Sequence, residues 1–297
     1  MYVRIIPKLD IKGPNLVKGI QFEGLRVLGK PEQFARFYYE NGADELIYMD
    51  VVATLYGRNS LLPIVNKTSR EVFIPLTVGG GLRTVEDIRA VLQAGADKVA
   101  INTAAINRPE LIREASRRFG SSTIVISIEA IRKPDGSYEA YTDYGRQRTG
   151  VNPFKWAMRA AELGAGEILV TSIDREGTGK GFDLELTRKI AESVSIPVIA
   201  CGGAGNLGHI SEAALEGKAD AVSAASVLHY NSVRIFRHDS NDYSAEGNTE
   251  HLRRETGFSK VEDTTIMKIK EHLRTNGIPS RGAVEGVKRC QETQLRL

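Results

Sequence analysis

LTVGGGLR at Leu76–Arg83 and IACGGAGN at Ile199–Asn206 share one pattern, in which a short apolar run ends in consecutive glycines and then opens a helical pattern. Such a turn presents bare backbone N–H groups to a phosphate at the N-terminus of a helix. A single glycine pair after a strand more often serves a tight connection between strand and helix. Because the pattern occurs twice, we expect a ligand with two anionic ends.

An internal repeat relates the two turns. Gly80 and Gly202 are separated by an offset of 122 residues, and the same offset superimposes Gly42–Asp50 (GADELIYMD) on Gly164–Ser172 (GAGEILVTS). Strand and helix patterns alternate through both copies, which gives eight strand–helix units. The chain is therefore predicted to contain two related halves.

Eight alternating units predict a parallel sheet closed by right-handed crossovers, the (β/α)8 or TIM barrel, which usually takes about 250 residues. We expect one domain over 1–297, with half-barrels at about 1–120 and 121–230. An open, doubly wound sheet is the alternative. Ile11–Lys30, which contains four glycines, is longer than a strand–helix connection requires and predicts a mobile loop over the active site.

The pattern breaks after the eighth strand. Residues 231–262 are polar and lack an apolar period, so we expect an insertion in the last strand–helix loop, either beside the second phosphate turn or without a role. An amphipathic pattern at 264–275 predicts a final helix. The polar tail at 281–297 is given no function.

The composition excludes several classes of protein. With 40 basic and 37 acidic residues, the net charge of +3 gives no indication of a nucleic-acid partner. The two cysteines, Cys201 and Cys290, fit neither a metal cluster nor a disulfide framework. No leader and no apolar run of about 18 residues is present, so we expect a cytoplasmic protein with no membrane partner, no metal and no cofactor.

The candidate chemical groups lie at predicted strand ends. Asp10 and Glu129 end strands one and five, opposite each other across a barrel. Two facing carboxyl groups are what general acid and base catalysis requires. Alternatively, both are structural acids whose oxygens are satisfied by neighbouring backbone. Asp50 and Glu176 are predicted to bind sugar hydroxyls or to be structural. Small residues that let a phosphate approach the backbone are Gly80, Gly81, Asn102 and Thr103 in the first half, and Gly177, Gly202, Gly203, Ala225 and Ser226 in the second.

The motifs KLDIKG, DELIYMD, LTVGGGLR, GADKVAINTAA, GAGEILVTSIDREGTGKGFD and ACGGAG closely resemble the cyclase subunit of imidazole glycerol phosphate synthase, over residues 1–230 and again at 264–281. The resemblance implies a barrel of two half-barrels in a heterodimer with a glutaminase subunit, which docks at the N-terminal face. Ammonia would cross the barrel and convert a ribulosyl formimino aminoimidazole carboxamide ribonucleotide, which has two phosphates, into imidazole glycerol phosphate and aminoimidazole carboxamide ribonucleotide.

The resemblance also implies roles for individual residues. Asp10 would be the general base and Glu129 the general acid, and Lys18 would belong to the mobile loop. A charged ring that gates the ammonia entrance would consist of Arg4, Glu45, Lys98 and Glu167.

Several positions depart from the family pattern. Glu129 and Glu176 stand where aspartates are expected, and Tyr144 stands where a serine is usual. Lys8 replaces a small residue, and strand alternation places it in the barrel interior with Asp10. There Lys8 would have to pair with Asp10 or Glu129 or lose its proton, unless strand twist brings it to solvent.

These departures suggest a second hypothesis. Relatives with this set of changes resemble an ammonia-relay barrel that serves a sugar amidotransferase in surface polysaccharide synthesis. Such a chain need not perform the cyclase reaction. A third hypothesis is the sister phosphoribosyl isomerase, against which the retained ring of charges argues.

Overall fold

A computed structural model describes residues 2–53, 61–236 and 261–282. Its strands, in chain order, are β1 (Arg4–Lys12), β2 (Asn15–Ile20), β3 (Glu23–Gly29), β4 (Leu46–Asp50), β5 (Leu76–Gly79), β6 (Lys98–Ile101), β7 (Ile124–Arg132), β8 (Tyr138–Thr142), β9 (Gln147–Arg148), β10 (Glu167–Ser172), β11 (Val198–Cys201) and β12 (Ala221–Ala224).

Eight of these strands form a closed parallel barrel. The order is β1, β4, β5, β6, β7, β10, β11 and β12, and β12 pairs in parallel with β1. The β6–β7 pairing, in which Ala100 lies opposite Val125, joins the two halves. The prediction of a (β/α)8 TIM barrel is therefore confirmed, and the open sheet is excluded.

The helices surround the barrel and bury one face each against the outward side of the strands. Thr84 and Asp87 form the capping box at the start of α3, as the sequence indicates. The helices are α1 (Pro31–Glu40), α2 (Leu62–Thr68), α3 (Val85–Gln93), α4 (Thr103–Asn107), α5 (Glu110–Phe119), α6 (Pro153–Leu163), α7 (Leu184–Ser193), α8 (Leu207–Leu215), α9 (Ser226–Ile235) and α10 (Ile266–Thr275). Within the described ranges, no helix is long and apolar enough to cross a membrane.

Two antiparallel hairpins extend from the C-terminal face. Ile11–Lys30, predicted as a mobile loop, contains two strands, because β2 pairs with the end of β1 and β3 pairs with β2. Strands β8 and β9 extend β7 in the same way. The repeat therefore includes a hairpin after the first strand of each half.

The segment after the eighth barrel strand begins differently from the prediction. Residues 231–235 complete helix α9, because Val233 and Phe236 pack against the core, so the predicted insertion at 231–262 begins too early. Most of that insertion, and 283–297 of the predicted tail, lie outside the described residues. The final helix occupies Ile266–Thr275, within the span expected at 264–275.

Side chains that point into the barrel form layers. Charged residues lie at the N-terminal end, and an apolar layer that includes Ile6, Ile47 and Leu169 follows. Lys8 lies one alternate position beyond Ile6 on β1, and Asp10 lies one beyond Lys8. A second set of polar groups therefore lies at the carboxyl ends of the strands, where barrels of this fold carry their active sites.

Candidate active site

The first-half cavity has a volume of about 330 Å³ and opens at the C-terminal face. Asn102 donates from Nδ2 to the Tyr141 carbonyl at 3.1 Å, while its Oδ1 has no hydrogen-bond partner among the described residues. The Thr103 hydroxyl lies 3.4 Å from Asp143. Sequence-predicted residues that line this cavity are Asp50, Gly80, Gly81, Asn102, Thr103, Glu129 and Tyr144.

The second-half cavity is much smaller, at about 10 Å³. It brings together the second glycine turn, the start of α9 and two buried lysines. Sequence-predicted residues that line it are Lys8, Lys18, Glu176, Gly177, Gly202, Gly203, Ala225 and Ser226.

The two cavities are built on matching backbone. Gly80 and Gly202 have φ angles of 96° and 88°, in the region that only glycine adopts readily. Asn102 (φ −121°, ψ −86°) and Ala225 (φ −124°, ψ −77°) precede α4 and α9 in nearly the same conformation, and neither caps its helix with a side chain. The backbone N–H groups at both helix starts are therefore available to an external acceptor.

Asp10 accepts hydrogen bonds from two side chains. Its Oδ1 pairs with Lys8 Nζ, and its Oδ2 accepts from the Tyr144 hydroxyl at 3.2 Å. Tyr144 in turn packs on Phe22 of the first hairpin, with ring centroids 4.1 Å apart. The pairing of Asp10 with Tyr144 and Phe22 joins residues far apart in sequence, and no local signal predicts it.

Lys8 is 4% exposed, so its strand does not carry it to solvent. Burial alone would lower the pKa of Lys8, but the nearby carboxylates, Asp10 foremost, outweigh burial and raise that pKa above its usual value. Lys8 is consequently an ammonium group in the centre of the barrel, where it pairs with Asp10.

Glu129 has different surroundings. It is 7% exposed, and its Oε2 has no hydrogen-bond partner within the described part of the chain. Burial raises the pKa of Glu129 to about 7, although Lys8 and the Gly145 backbone N–H partly oppose that rise. A carboxyl group that is partly protonated near neutral pH is suited to general acid catalysis.

Lys18 and Glu176 form a second buried ion pair, between the first hairpin and the loop after β10. Burial lowers the pKa of Lys18, but Glu176 more than compensates, so the pKa is raised and the lysine stays charged. Asp50, by contrast, accepts from the Val52 N–H at 3.1 Å.

His229 is a residue that sequence reasoning missed. It is fully buried, and burial lowers its pKa to about 3, so the ring is neutral. Its Nε2 lies 2.9 Å from the Lys8 carbonyl and its Nδ1 lies 2.6 Å from the Tyr38 hydroxyl. Since a carbonyl accepts, Nε2 donates to it and Nδ1 accepts from Tyr38. The ring thus fixes β1 beside α9. In the sequence, the only indication of this role was an isolated histidine in an apolar helical stretch.

A closed ring of alternating charge lies at the N-terminal end of the barrel. Arg4 pairs with Glu45 at 2.7 Å and also with Glu167. Lys98 contacts Glu45 at 2.9 Å and Glu167 at 3.1 Å. A cavity of about 510 Å³ lies outside this ring and is lined by the exposed Tyr2. Each of the four residues predicted to form a gate thus contacts the two of opposite charge.

Comparisons with known proteins agree with this architecture. A family model described as histidine biosynthesis protein matches residues 4–234. The imidazole glycerol phosphate synthase subunit HisF of Legionella pneumophila is 60% identical over 205 residues, which cover 69% of this chain and 97% of that protein. The same subunit of Alkaliphilus metalliredigens strain QYMF is 50% identical over 234 residues, which cover 79% of this chain and 93% of that protein. The resemblance seen in the motifs is confirmed, and the chain belongs to the histidine biosynthesis protein family and, within it, to the HisF subunits of imidazole glycerol phosphate synthase.

Proposed function

We propose that this chain is the cyclase subunit of imidazole glycerol phosphate synthase, an enzyme of histidine biosynthesis. It uses ammonia to convert the ribulosyl formimino aminoimidazole carboxamide ribonucleotide into imidazole glycerol phosphate and aminoimidazole carboxamide ribonucleotide. The observation that carries this proposal is that Glu129 lines the cavity of the first glycine turn, while Asp10 contacts Tyr144 of that cavity and Lys8 of the cavity at the second turn. A substrate with a phosphate at each end would span the barrel mouth and present its centre to both carboxyl groups.

The two carboxyl groups are suited to opposite roles. Asp10, which pairs with Lys8 and accepts a hydrogen bond from the Tyr144 hydroxyl, would accept a proton. Glu129, with its pKa raised to about 7 by burial, can donate one. A positioned acid and a positioned base each contribute about 10² to 10⁴ in rate.

A glutaminase subunit is proposed to supply the ammonia. The relatives are named as a subunit of the synthase, which implies a second subunit. The cavity outside the charged ring and the exposed Tyr2 support docking at the N-terminal face. Ammonia would pass the ring and the apolar layer to reach Asp10.

Turnover of purified protein with ammonium salt and the ribulosyl substrate tests the function. We expect product formation in the wild type, a loss of about 10² or more in Asp10→Asn, and a similar loss in Glu129→Gln. The absence of turnover by folded wild-type protein at high enzyme concentration would exclude the cyclase.

The Lys8–Asp10 ion pair specifically favours a second candidate, because it occupies an oxygen of the proposed base. In this alternative the barrel relays ammonia from the glutaminase to a sugar amidotransferase. Labelled glutamine amide nitrogen would then enter a sugar when all three proteins are combined, while the wild-type barrel would not consume the ribulosyl substrate. Cyclase turnover without label transfer would reject the relay.

A further inference from the structure

The two anion sites of the barrel have the same backbone but differ in free space. The first-half cavity has about 330 Å³, whereas the second has about 10 Å³. A cavity of the smaller size holds about one water molecule. A phosphate group could enter the first site as it stands but could not enter the second.

The Glu176 carboxylate fills the second site. Its Oε1 pairs with Lys18 Nζ, and both side chains are almost completely buried. Its Oε2 lies 3.4 Å from the point where a Cβ on Gly202 would stand, so it lies against the glycine turn. An internal anion thus occupies the place between the lysine and the turn.

Nearby donors indicate that this site receives an external acceptor. Ser223 is 1% exposed, lines the cavity, and its hydroxyl has no partner among the described residues. Helix α9, ten residues long, begins at Ser226 without a side-chain cap. A buried hydroxyl without a partner is unfavourable, and an entering phosphate oxygen would satisfy it.

We propose that Glu176 determines specificity by holding the place of the second phosphate, so that a ligand displaces it from Lys18 only when a first phosphate is already anchored in the open site. This inference rests on the proposed function, which supplies a ligand with two phosphates. A free phosphate must compete with a carboxylate that is tethered in the site. A phosphate tethered through the rest of the ligand has an effective concentration in the millimolar range and competes on equal terms.

The first hairpin remains docked without the Glu176 carboxylate. The Gln21 backbone N–H donates to the Glu176 carbonyl at 2.8 Å, and Gln21 Nε2 donates to the Asp174 carbonyl at 3.0 Å. Both bonds use the backbone of the loop after β10. Glu176→Gln therefore removes the competing charge while leaving the hairpin contacts in place.

The test is calorimetric titration of the full chain with inorganic phosphate, with crystals soaked in phosphate to locate each bound ion. We expect the wild type to bind phosphate at the first site alone. Glu176→Gln should acquire a second site beside Gly202, with a Kd about tenfold or more below the highest phosphate concentration at which the wild type leaves that site empty. Lys18→Met added to this variant should abolish the new site.

Two variants keep the test decisive. Glu192→Gln, which removes an exposed carboxylate paired with Lys218, should bind phosphate as the wild type does. Glu176→Asp keeps the charge but shortens the side chain, so its gain in phosphate affinity should be intermediate. It provides the test if Glu176→Gln fails to fold. Two equal sites in the wild type, or no gain in either Glu176 variant, would overturn the proposal. Because the titration uses neither substrate nor ammonia, its failure is distinct from a failure of the cyclase assay.

Discussion

Asp10 and Glu129 occupy equivalent positions of the repeat but have opposite electrostatic surroundings. Asp10 accepts from Lys8 and Tyr144, whereas Oε2 of Glu129 has no hydrogen-bond partner in the described residues. The sequence places both carboxyl groups at strand ends. It does not show how their surroundings differ, because Tyr144, which donates to Asp10, is brought in by the second hairpin.

The raised pKa of Glu129 predicts a dependence of stability on pH. Because the native state holds this proton from about pH 4.5 up to about pH 7, where the unfolded chain has released it, the contribution of Glu129 to stability is lost as pH rises through that window. The shift corresponds to about 3 kcal/mol in the free energy of unfolding. As the pH rises from 5 to 8, Glu129→Gln should therefore become more stable relative to the wild type.

Urea denaturation at the two pH values measures this effect. Glu216→Gln, at an exposed position, is the matched control and should show the same difference from the wild type at both. An equal response in the two variants would mean that Glu129 titrates normally in the folded protein.

The Lys8–Asp10 pair predicts strong coupling between two substitutions. Removing one partner of a buried pair leaves an uncompensated charge and costs about 3–5 kcal/mol. Lys8→Met and Asp10→Asn should each destabilise the protein at pH 7, and the double variant should be less destabilised than the sum by about 2 kcal/mol or more. A double-mutant cycle by chemical denaturation gives the coupling, and additive effects would contradict the pairing.

At the scale of elements, the hairpins show where local sequence patterns are insufficient. Glycines in 11–30 indicated a loop, yet β2 and β3 form because β1 continues beyond the barrel and offers an edge at Asp10–Lys12. Gln21 and Phe22 then take the positive φ angles of a two-residue turn without glycine at either position. The edge of β1 exists only in the folded barrel, and it determines that this segment forms strands.

The turn after β11 predicts a steric effect larger than that of φ alone. Gly203 has a φ of 115°, and a Cβ there would overlap the Gly181 carbonyl oxygen. Gly136 has a φ of 81°, and a Cβ added there would meet no other group within 4 Å. Gly136→Ala should cost about 1 kcal/mol of stability, whereas Gly203→Ala should cost more, because backbone must move.

Thermal denaturation of both variants and phosphate titration of Gly203→Ala provide the measurement. Phosphate binding at the first-half site should survive in Gly203→Ala, because that site is built on the other turn. Equal destabilisation by the two substitutions would show that the turn at Gly203 has room to relax.

At the scale of the whole molecule, the fold followed from the repeat because closure of a barrel is a global consequence of eight alternating units. The ion pair between Lys18 and Glu176 did not follow, since it joins residues 158 positions apart through a hairpin that the sequence did not predict. Similarly, the registers that bring Arg4, Lys98, Glu45 and Glu167 together are set by the closed barrel and not by any local pattern.

The charged ring predicts a separation between two sources of nitrogen. Lys98 contacts both glutamates of the ring, so Lys98→Met leaves two carboxylates without one of their cations and should open or distort the entrance. Ammonia delivered by a glutaminase would then be lost, while added ammonium salt would still reach the C-terminal face from solvent. We expect glutamine-dependent turnover to fall about tenfold and ammonium-dependent turnover to change less than twofold. An effect of this size fits a gate whose ion pairs contribute a few kcal/mol at most.

Lys189→Gln, which breaks an exposed pair with Glu185, should leave both rates unchanged. Steady-state product formation in the reconstituted complex gives the ratio, and an equal fall of both rates in Lys98→Met would show that the ring supports the barrel without gating it.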